Sequence, residues 1–328
     1  MDVLLLSHEE VGTLLPMSEC VAVMREALAA LAGGEVYQPL RTIVRPPDAA
    51  GIMGLMPSYA AGERAAFGLK AICVFHGNAA RGKDSHQGAV LLFSAESGEL
   101  LALMNASAVT AVRTAAVSGV ATHALARADA GDLAIVGAGV QARSHVEAMS
   151  SVRRIRRCRV ASRSVESARR LADELKRRYA FPVEAVESVE DALRGADLIV
   201  TATNSAERVV RREWVAPGAH INAVGACTPN ARELDAATVA ASSLFVDSVE
   251  SAVNESGDYL RALKEGAVAP GHIRAELGEV LRGTKPGRTS DDEITLFRSL
   301  GVGVEDLAAA RFLYDKCKET GAGTWARF

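Results

Sequence analysis

The sequence predicts an α/β protein that combines a doubly wound parallel sheet with a mixed α+β domain. From about residue 130 onward, short apolar runs alternate with helical stretches in the rhythm of consecutive βα units. Between residues 36 and 104 the apolar runs are β-rich and are separated by turn residues, a pattern typical of a partly antiparallel sheet. A glycine-containing turn at residues 137–142 joins one of the later apolar runs to a helical stretch.

Length and composition narrow the class of protein. A chain of 328 residues is long for a single core and favours two domains. A formal net charge of -3 argues against a nucleic-acid partner. The five cysteines lie far apart without a Cys-x-x-Cys pair, so we expect neither a disulfide framework nor a metal site. The short apolar run at residues 3–6 is neither a signal peptide nor a membrane span, so we expect a cytoplasmic protein without a membrane partner.

The elements of the first region follow from local signals. A helix is predicted over residues 17–31, between Pro16 and the pair Gly33-Gly34. Three strands are predicted at residues 40–44, 69–75 and 89–93. A long alanine-rich helix over residues 107–127 then leads into the second region.

The second region carries the βα pattern. Its apolar strand candidates are residues 133–136, 159–161, 198–202, 221–224, 244–246 and 294–297. Helices are predicted between them, for example over residues 165–178 and 189–195, and a last helix spans about 304–319. That last helix is long enough to return to the first domain. We therefore expect a discontinuous first domain (1–116 and 304–328) and a doubly wound second domain (117–303).

The turn Gly137-Ala138-Gly139-Val140-Gln141-Ala142 predicts a dinucleotide site because of its context. An apolar strand precedes it and a helix follows it. Gly137 would make the tight turn, Gly139 would let the backbone approach the pyrophosphate, and Ala142 would keep the helix close to the strand. The helix N-terminus, with Val140 and Gln141, would then face the phosphates. A glycine turn in some other α/β domain is the alternative.

The end of the second strand favours NADPH over NADH. That strand runs into Ser162-Arg163-Ser164, with no acid before Glu166 to accept from a ribose 2′-hydroxyl. A serine and an arginine suit a 2′-phosphate, and Arg157 and Arg159 would raise the local positive potential. The alternative is that these arginines only form a solvated face. The other residues assigned to the cofactor site are Thr201, Thr203, Val224 and Gly225.

Several cations lie in the β-rich region, and arginines bind carboxylates in bidentate fashion. Arg41, Arg45 and Lys70 belong to this region, and Arg113 lies on the alanine-rich helix. Lys70, on an apolar strand, is either a solubilising residue at a sheet edge or a buried functional amine.

Two further features of this region have a structural and a functional interpretation. His86-Gln87-Gly88 is more often a structural turn than a catalytic site. Met53 and Met56 either line a pocket or fill the core.

Several segments of the chain, in their order and spacing, resemble the ornithine cyclodeaminase/μ-crystallin superfamily, and the resemblance extends nearly from end to end. The segments that carry the resemblance are Gln38–Arg41, Met56–Tyr59, Gly68–Lys70, His86–Gly88, Thr110–Ala116, Gly137–Ala142, Arg232–Asp235 and Asp291–Gly301. The resemblance implies a homodimer built through the N-terminal domain and a Rossmann domain inserted before the last helix. It also implies a substrate site at a domain cleft, where Arg41, Lys70 and Arg113 bind an α-carboxylate beside the nicotinamide.

Within that superfamily, two departures favour the reductase branch over the cyclodeaminases. Cyclodeaminases carry an aspartate base just after the fifth strand, and this chain has Cys227 there, a poor substitute for a carboxylate. They also tend to carry an acid after the second strand, which is missing here. The reductase branch contains ketimine, Δ1-pyrroline-2-carboxylate and Δ1-piperideine-2-carboxylate reductases and amino-acid dehydrogenases.

The resemblance thus implies an NAD(P)H-dependent reductase of a C=N bond alpha to a carboxylate. Arg41 and Arg113 would hold the carboxylate, Lys70 would contact the carboxylate or the imine nitrogen, and Cys227 and Thr228 would shape the pocket. The substrate partner would be a small imino or amino acid. A true ornithine cyclodeaminase and a non-catalytic binding protein like μ-crystallin stay open as alternatives.

Overall fold

The computed structural model describes residues 2–328, and for His76, Ala79 and Ala80 it describes the backbone only. The chain forms two compact units, Met1–Thr114 with Gly301–Phe328, and Ala115–Leu300. Each unit contains its own sheet, and the second sheet is parallel, which confirms the predicted fold class. None of the helices in the described part of the chain combines the length and apolar character needed to cross a membrane.

The first unit is built on a mixed sheet. Its strands are β1 (Asp2–Leu6), β2 (Val36–Tyr37), β3 (Thr42–Val44), β4 (Ile52–Ala60), β5 (Ala66–Val74), β6 (His86–Ser94), β7 (Leu100–Asn105) and β16 (Thr324–Arg327). They are ordered β16-β1-β7-β6-β5-β4-β2, with β3 also paired to β4. The helices are α1 (His8–Leu14), α2 (Met17–Ala32) and α11 (Gly303–Thr320), and α3 (Ala106–Leu125) contains the boundary between the units.

Strand β5 is an inner strand, and this decides where Lys70 lies. It pairs antiparallel with β4 on one side and β6 on the other, so that Lys70 is opposite Met56 and Val90. Its side chains alternate between buried and more exposed positions, with Gly68, Lys70 and Ile72 on the buried face. Since β5 is not at an edge, the interpretation of Lys70 as an edge solubiliser is wrong.

The second unit contains a doubly wound sheet. Its strands are β8 (Asp132–Val136), β9 (Arg157–Ala161), β10 (Val183–Ala185), β11 (Leu198–Thr201), β12 (His220–Ala223), β13 (Ser242–Val246), β14 (Ile273–Glu276) and β15 (Ile294–Arg298). Their order is β10-β9-β8-β11-β12-β15-β13-β14, and every pairing is parallel. The helices are α4 (Val140–Val152), α5 (Val165–Arg178), α6 (Val189–Leu193), α7 (Ala236–Ala240), α8 (Val249–Glu255), α9 (Gly257–Lys264) and α10 (Leu277–Leu281).

The strands of this sheet are apolar because both faces are covered. Strands β8, β11 and β12 are buried along almost their whole length, as expected of a parallel sheet with helices on each side. The order reverses beside β8, whose neighbours are β9 and β11. In sheets of this kind, ligands bind outside the carboxyl ends of the strands at such a reversal. The fold therefore places the glycine turn that follows β8 where a dinucleotide site belongs.

Some elements differ from those predicted. The prediction gave no bounds for β1, β2, β4, β7, β10, β14, β16 or α1. The interpretation of His86-Gln87-Gly88 as a turn is wrong, because these residues begin β6 and pair with Ile72–Val74 of β5. The predicted helix at residues 165–178 has the same bounds as α5, whose N-cap is Ser164.

The pairing of β5 with β6 depends on the absence of a side chain at Gly88. A Cβ there would lie 2.1 Å from the carbonyl oxygen of Ala71 and 2.8 Å from the Cα of Ile72. We expect Gly88→Ala to lower the free energy of unfolding by about 1–3 kcal/mol, as overpacking does. Gly12→Ala is the matched control, since a Cβ at Gly12 in α1 meets nothing within 4 Å and should be neutral or stabilising. Denaturant unfolding of both variants tests this, and equal stability would contradict it.

Candidate active site

The glycine turn after β8 has the geometry that a pyrophosphate requires. Gly137 has a φ of 124°, which side chains rarely allow, and its Cβ would lie 2.4 Å from the carbonyl oxygen of Ala202. Gly139 is the N-cap of α4 without a side-chain capping bond, and a Cβ there would meet nothing within 4 Å. The first N–H groups of α4, beginning at Val140 and Gln141, therefore lie beside open space. The residues present fit the phosphates of a dinucleotide.

The segment after β9 leaves Arg163 exposed beside two half-buried serines, Ser162 and Ser164. Ser164 caps α5, its hydroxyl accepting from the Ser167 N–H at 3.2 Å and donating to Glu166 at 3.2 Å. No acid of this segment precedes Glu166, as the sequence indicates.

Arg157 and Arg159, which the sequence predicts to add positive potential here, have partners within the second unit. Arg157 forms an ion pair with Asp132 at 2.9 Å. Arg159 is 8 % exposed and donates to carbonyl oxygens of Asp191 and Arg194. Both guanidiniums are therefore bound to the protein itself. The alternative that these arginines only form a solvated face does not fit Arg159, which is buried.

The ends of β11 and β12 are tied together by Glu233, which the sequence interpretation left without a role. Its fully buried carboxylate accepts from the Thr203 N–H at 2.7 Å, the Gly225 N–H at 2.7 Å and the Thr201 hydroxyl at 2.8 Å. A Cβ on Gly225 would lie 2.0 Å from the carbonyl oxygen of Thr203. Burial raises the pKa of Glu233, whereas Arg298 and the bonds from Thr203 lower it. Three donors around one group favour the ionised form, whereas burial and Asp258 oppose it.

A buried ion pair holds the same segment from its other side. Arg298 donates to the carbonyl oxygens of Ala223 and Ala226 and lies 3.2 Å from the carboxylate of Asp258. Asp258 in turn accepts from the N–H groups of Glu233 and Leu234 at 2.8 and 2.9 Å. The backbone after β12 is thus fixed through its N–H and its carbonyl groups.

Cys227 and Thr228 follow this fixed segment. The thiol of Cys227 is half-buried and donates to the carbonyl oxygen of Val224 at 3.2 Å. The side chain of Thr228 is exposed. Within residues 2–328, no group of histidine, cysteine, aspartate or glutamate side chains is arranged to hold a metal ion.

In the first unit, Lys70 is a buried amine. Its side chain is 3 % exposed, and its ammonium lies 2.7 Å from the carboxylate of Asp306. Burial lowers the pKa of Lys70 to about 8, and Arg113 and Arg41 add to that effect while Asp306 opposes it. Lys70 is therefore largely protonated at neutral pH but releases its proton more readily than an exposed lysine.

Arg113 extends the same cluster. Its guanidinium is 4 % exposed and forms ion pairs with Asp306, at 3.1 Å, and with Glu305. Burial disfavours the charge, but Asp306 and Glu305 outweigh burial and raise the pKa of Arg113. Glu305 and Asp306 lie in the first turn of α11, where the helix dipole favours carboxylates.

Arg41 joins this cluster through Gly301. Its guanidinium donates to the carbonyl oxygen of Gly301 at 2.8 Å. Gly301 has a φ of 73°, and a Cβ there would lie 2.6 Å from Nη1 of Arg113. The turn before α11 thus contacts both guanidiniums. The structure brings together Arg41, Lys70 and Arg113, whereas Met56 is buried on β4 opposite Lys70 and Met53 is 41 % exposed.

Glu305 and Asp306 were not predicted from the sequence. They lie 192 and 193 residues after Arg113, at the start of a helix whose first turn looked like any acidic N-terminus. Glu233 was noticed only as part of a motif. A signal was available in both cases, since a carboxylate in a segment that becomes buried must find a partner.

The comparisons with known proteins are consistent along the whole chain. The model of the ornithine cyclodeaminase/mu-crystallin family matches residues 1–321. The ketimine reductase mu-crystallin of Mus musculus is 41 % identical over 94 % of this chain and 96 % of its own length. The Δ1-pyrroline-2-carboxylate reductase of Thermococcus litoralis, solved with NADH and L-proline, is 39 % identical, with a TM-score of 0.95 over 98 % of this chain and 99 % of that one.

An archaeal alanine dehydrogenase, solved as a dimer with bound NAD, is 31 % identical, with a TM-score of 0.93 over the full length of both chains. These similarities extend across both units and are not limited to the nucleotide-binding sheet. The chain belongs to the ornithine cyclodeaminase/mu-crystallin family.

Proposed function

We propose that this protein is an NAD(P)H-dependent oxidoreductase that reduces imines alpha to a carboxylate. The observation that carries the proposal is the buried Lys70–Asp306 pair beside Arg113, an arrangement that combines a proton donor with a carboxylate-binding cation. Relatives named ketimine reductase and Δ1-pyrroline-2-carboxylate reductase support this reaction. L-Proline, bound in one of them, is the amine that reduction of Δ1-pyrroline-2-carboxylate would give.

Recognition of the substrate carboxylate is assigned to Arg41 and Arg113. Both guanidiniums lower the pKa of Lys70, and both lie against the turn at Gly301. They therefore contribute positive potential to the same place. Arginine binds a carboxylate through two parallel hydrogen bonds, which fixes its plane as well as its position. The α-carbon of the bound imine is then held in one orientation, which is the main contribution a protein makes to such a reaction.

Lys70 is assigned the proton that the imine nitrogen receives. A reduced nicotinamide cofactor, when bound by the glycine turn of the second unit, supplies hydride to the imine carbon. The ammonium of Lys70 supplies the proton, and Asp306 holds that ammonium in place at 2.7 Å. A pKa of about 8 suits an acid that works near neutral pH.

The cofactor preference and the assembly are also proposals. Exposed Arg163 and the serines beside it, without an acid in the segment, favour NADPH, although the similar structures hold NADH or NAD. Resemblance to a dimeric archaeal alanine dehydrogenase favours a homodimer. The side chain of the substrate is left open.

The reaction can be tested with a panel of cyclic and linear imino acids. We expect oxidation of NADPH, followed by its absorbance, with Δ1-pyrroline- or Δ1-piperideine-2-carboxylate, or with pyruvate and an amine. An ammonia assay on L-ornithine runs beside it. Ammonia release without net cofactor oxidation would contradict the proposal, and would show that the protein is a cyclodeaminase despite Cys227.

The role of Lys70 predicts a pH dependence. If protonated Lys70 is the donor, kcat/KM for imine reduction should fall as pH rises through about 8. Asp306 raises the pKa of Lys70, so Asp306→Asn should move this falling limb to lower pH by about one unit. Asp315→Asn, on the same helix but paired with Arg311, is the control and should not move it. A limb that stays in place in Asp306→Asn would assign it to the substrate and remove Lys70 from the mechanism.

The NADPH preference depends on Arg163. We expect Arg163→Ala to raise KM for NADPH by about one to two decades, since a charge-assisted contact is worth about 1.5–3 kcal/mol, and to leave KM for NADH nearly unchanged. Arg169→Ala, an exposed arginine on α5, is the matched control. Equal changes for the two cofactors would refute the preference.

A further inference from the structure

The carboxylate of Glu233 takes no part in the proposed reaction, yet it is fully buried at the ends of β11 and β12. Such a group is costly to bury and persists only where its hydrogen bonds are complete. Its carboxylate oxygens accept hydrogen bonds from two backbone N–H groups, of Thr203 and Gly225, and from one hydroxyl, of Thr201. Two of the three bonds in this brace hold backbone, at Thr203 and Gly225, and the third holds the Thr201 side chain.

The position of the brace in the sheet indicates what it serves. A doubly wound sheet has two halves, each of which binds one nucleotide of a dinucleotide. The half formed by β8, β9 and β10 contains the glycine turn and Ser162-Arg163-Ser164, which we assign to the pyrophosphate and the adenosine ribose. The half formed by β11, β12 and β15 is left for the nicotinamide nucleotide, and Glu233 joins the carboxyl ends of β11 and β12.

We propose that Glu233 is a positioning residue for the nicotinamide half of the cofactor. This rests on the proposed function only in so far as a nicotinamide dinucleotide binds to the second unit. Glu233 holds residues 201–203 and 225 at a separation so small that Gly225 has no room for a Cβ. Arg298 holds the carbonyl groups of Ala223 and Ala226 in the same segment. The backbone at the ends of β11 and β12, which would face the nicotinamide, is therefore held in place before the cofactor binds.

The substitution Glu233→Gln separates this role from a general structural one. The amide keeps the shape of the carboxylate but has one acceptor oxygen and one NH₂ group. Either the Thr203 N–H or the Gly225 N–H must then face a donor, and the two strand ends lose their fixed separation. The glycine turn and residues 162–164 make no hydrogen bond to Glu233 among the bonds described for it, and only Ala202 connects the turn to the held segment, so binding of the adenosine half should weaken less than binding of the nicotinamide half.

The experiment is a calorimetric titration of the full chain with NADPH and, separately, with 2′-phospho-ADP-ribose, which lacks the nicotinamide. In Glu233→Gln we expect the Kd of NADPH to rise about tenfold, as the loss of a buried hydrogen bond implies. The Kd of 2′-phospho-ADP-ribose should rise by a clearly smaller factor, because the adenosine half contacts the held segment only through the neighbour of the glycine turn, Ala202. Glu265→Gln is the matched control, because Glu265 binds Arg232 and is half exposed. Equal weakening of both ligands, or of neither, would overturn the proposal.

A second variant covers the case in which Glu233→Gln does not fold. Thr201→Val removes only the hydroxyl donor and should give the same selective loss in a smaller amount, whereas a non-selective loss would overturn the proposal. Failure of the proposed reaction is distinguishable, since binding of both ligands without imine reduction by the unaltered protein contradicts the reaction and not the role of Glu233. Failure of the unaltered protein to bind either NADPH or NADH would overturn both.

Discussion

The first unit depends on the neutralisation of two buried cations. Lys70 and Arg113 are almost fully buried, and an unpaired charge in such a place costs several kcal/mol. Their partners, Glu305 and Asp306, come from a helix that begins almost 200 residues after Arg113 in the chain. The last helix must therefore belong to the same unit as strand β5. This requirement accounts for a discontinuous unit, in which the whole parallel sheet is inserted between Thr114 and Gly301 in the sequence.

The same pairing gives the cluster its chemical character. Burial and the nearby guanidiniums lower the pKa of Lys70, while Asp306 limits the effect, so the amine is largely charged at neutral pH but releases its proton more readily than an exposed lysine. Arg113 is in the opposite situation, since its carboxylate partners raise its pKa and keep it cationic. One carboxylate, Asp306, thus holds an acid that can lose its proton and a cation that cannot. A structure built only for stability would gain little from this arrangement.

The parts of the fold that were predictable are those with local causes. The glycine turn, the apolar strands and the cap of α5 each depend on residues close in sequence. The role of Lys70 was ambiguous because it depends on whether β6 pairs with the second side of β5. The sequence of one strand does not show which strands lie beside it. The ion pair of Lys70 was missed because it joins segments far apart in the chain. The bonds of Glu233 join the ends of two strands to a loop, and the carbonyl partners of Arg159 belong to residues 191 and 194, so neither set follows from local sequence.

Buried carboxylates have different tasks in the two units, and this explains why only some of them are expected to influence proton transfer. Asp306 contacts ionisable side chains, so its charge changes how readily a proton leaves. Glu233 contacts two N–H groups and a hydroxyl, which do not titrate near neutral pH, so its charge acts only through position. Burial and Asp258 raise the pKa of Glu233, whereas Arg298 and the hydrogen bonds from Thr203 favour its ionised form. The Lys70–Arg113 cluster of the first unit is therefore sensitive to charge, whereas the ends of β11 and β12 in the second unit are sensitive to geometry, although both depend on buried acids.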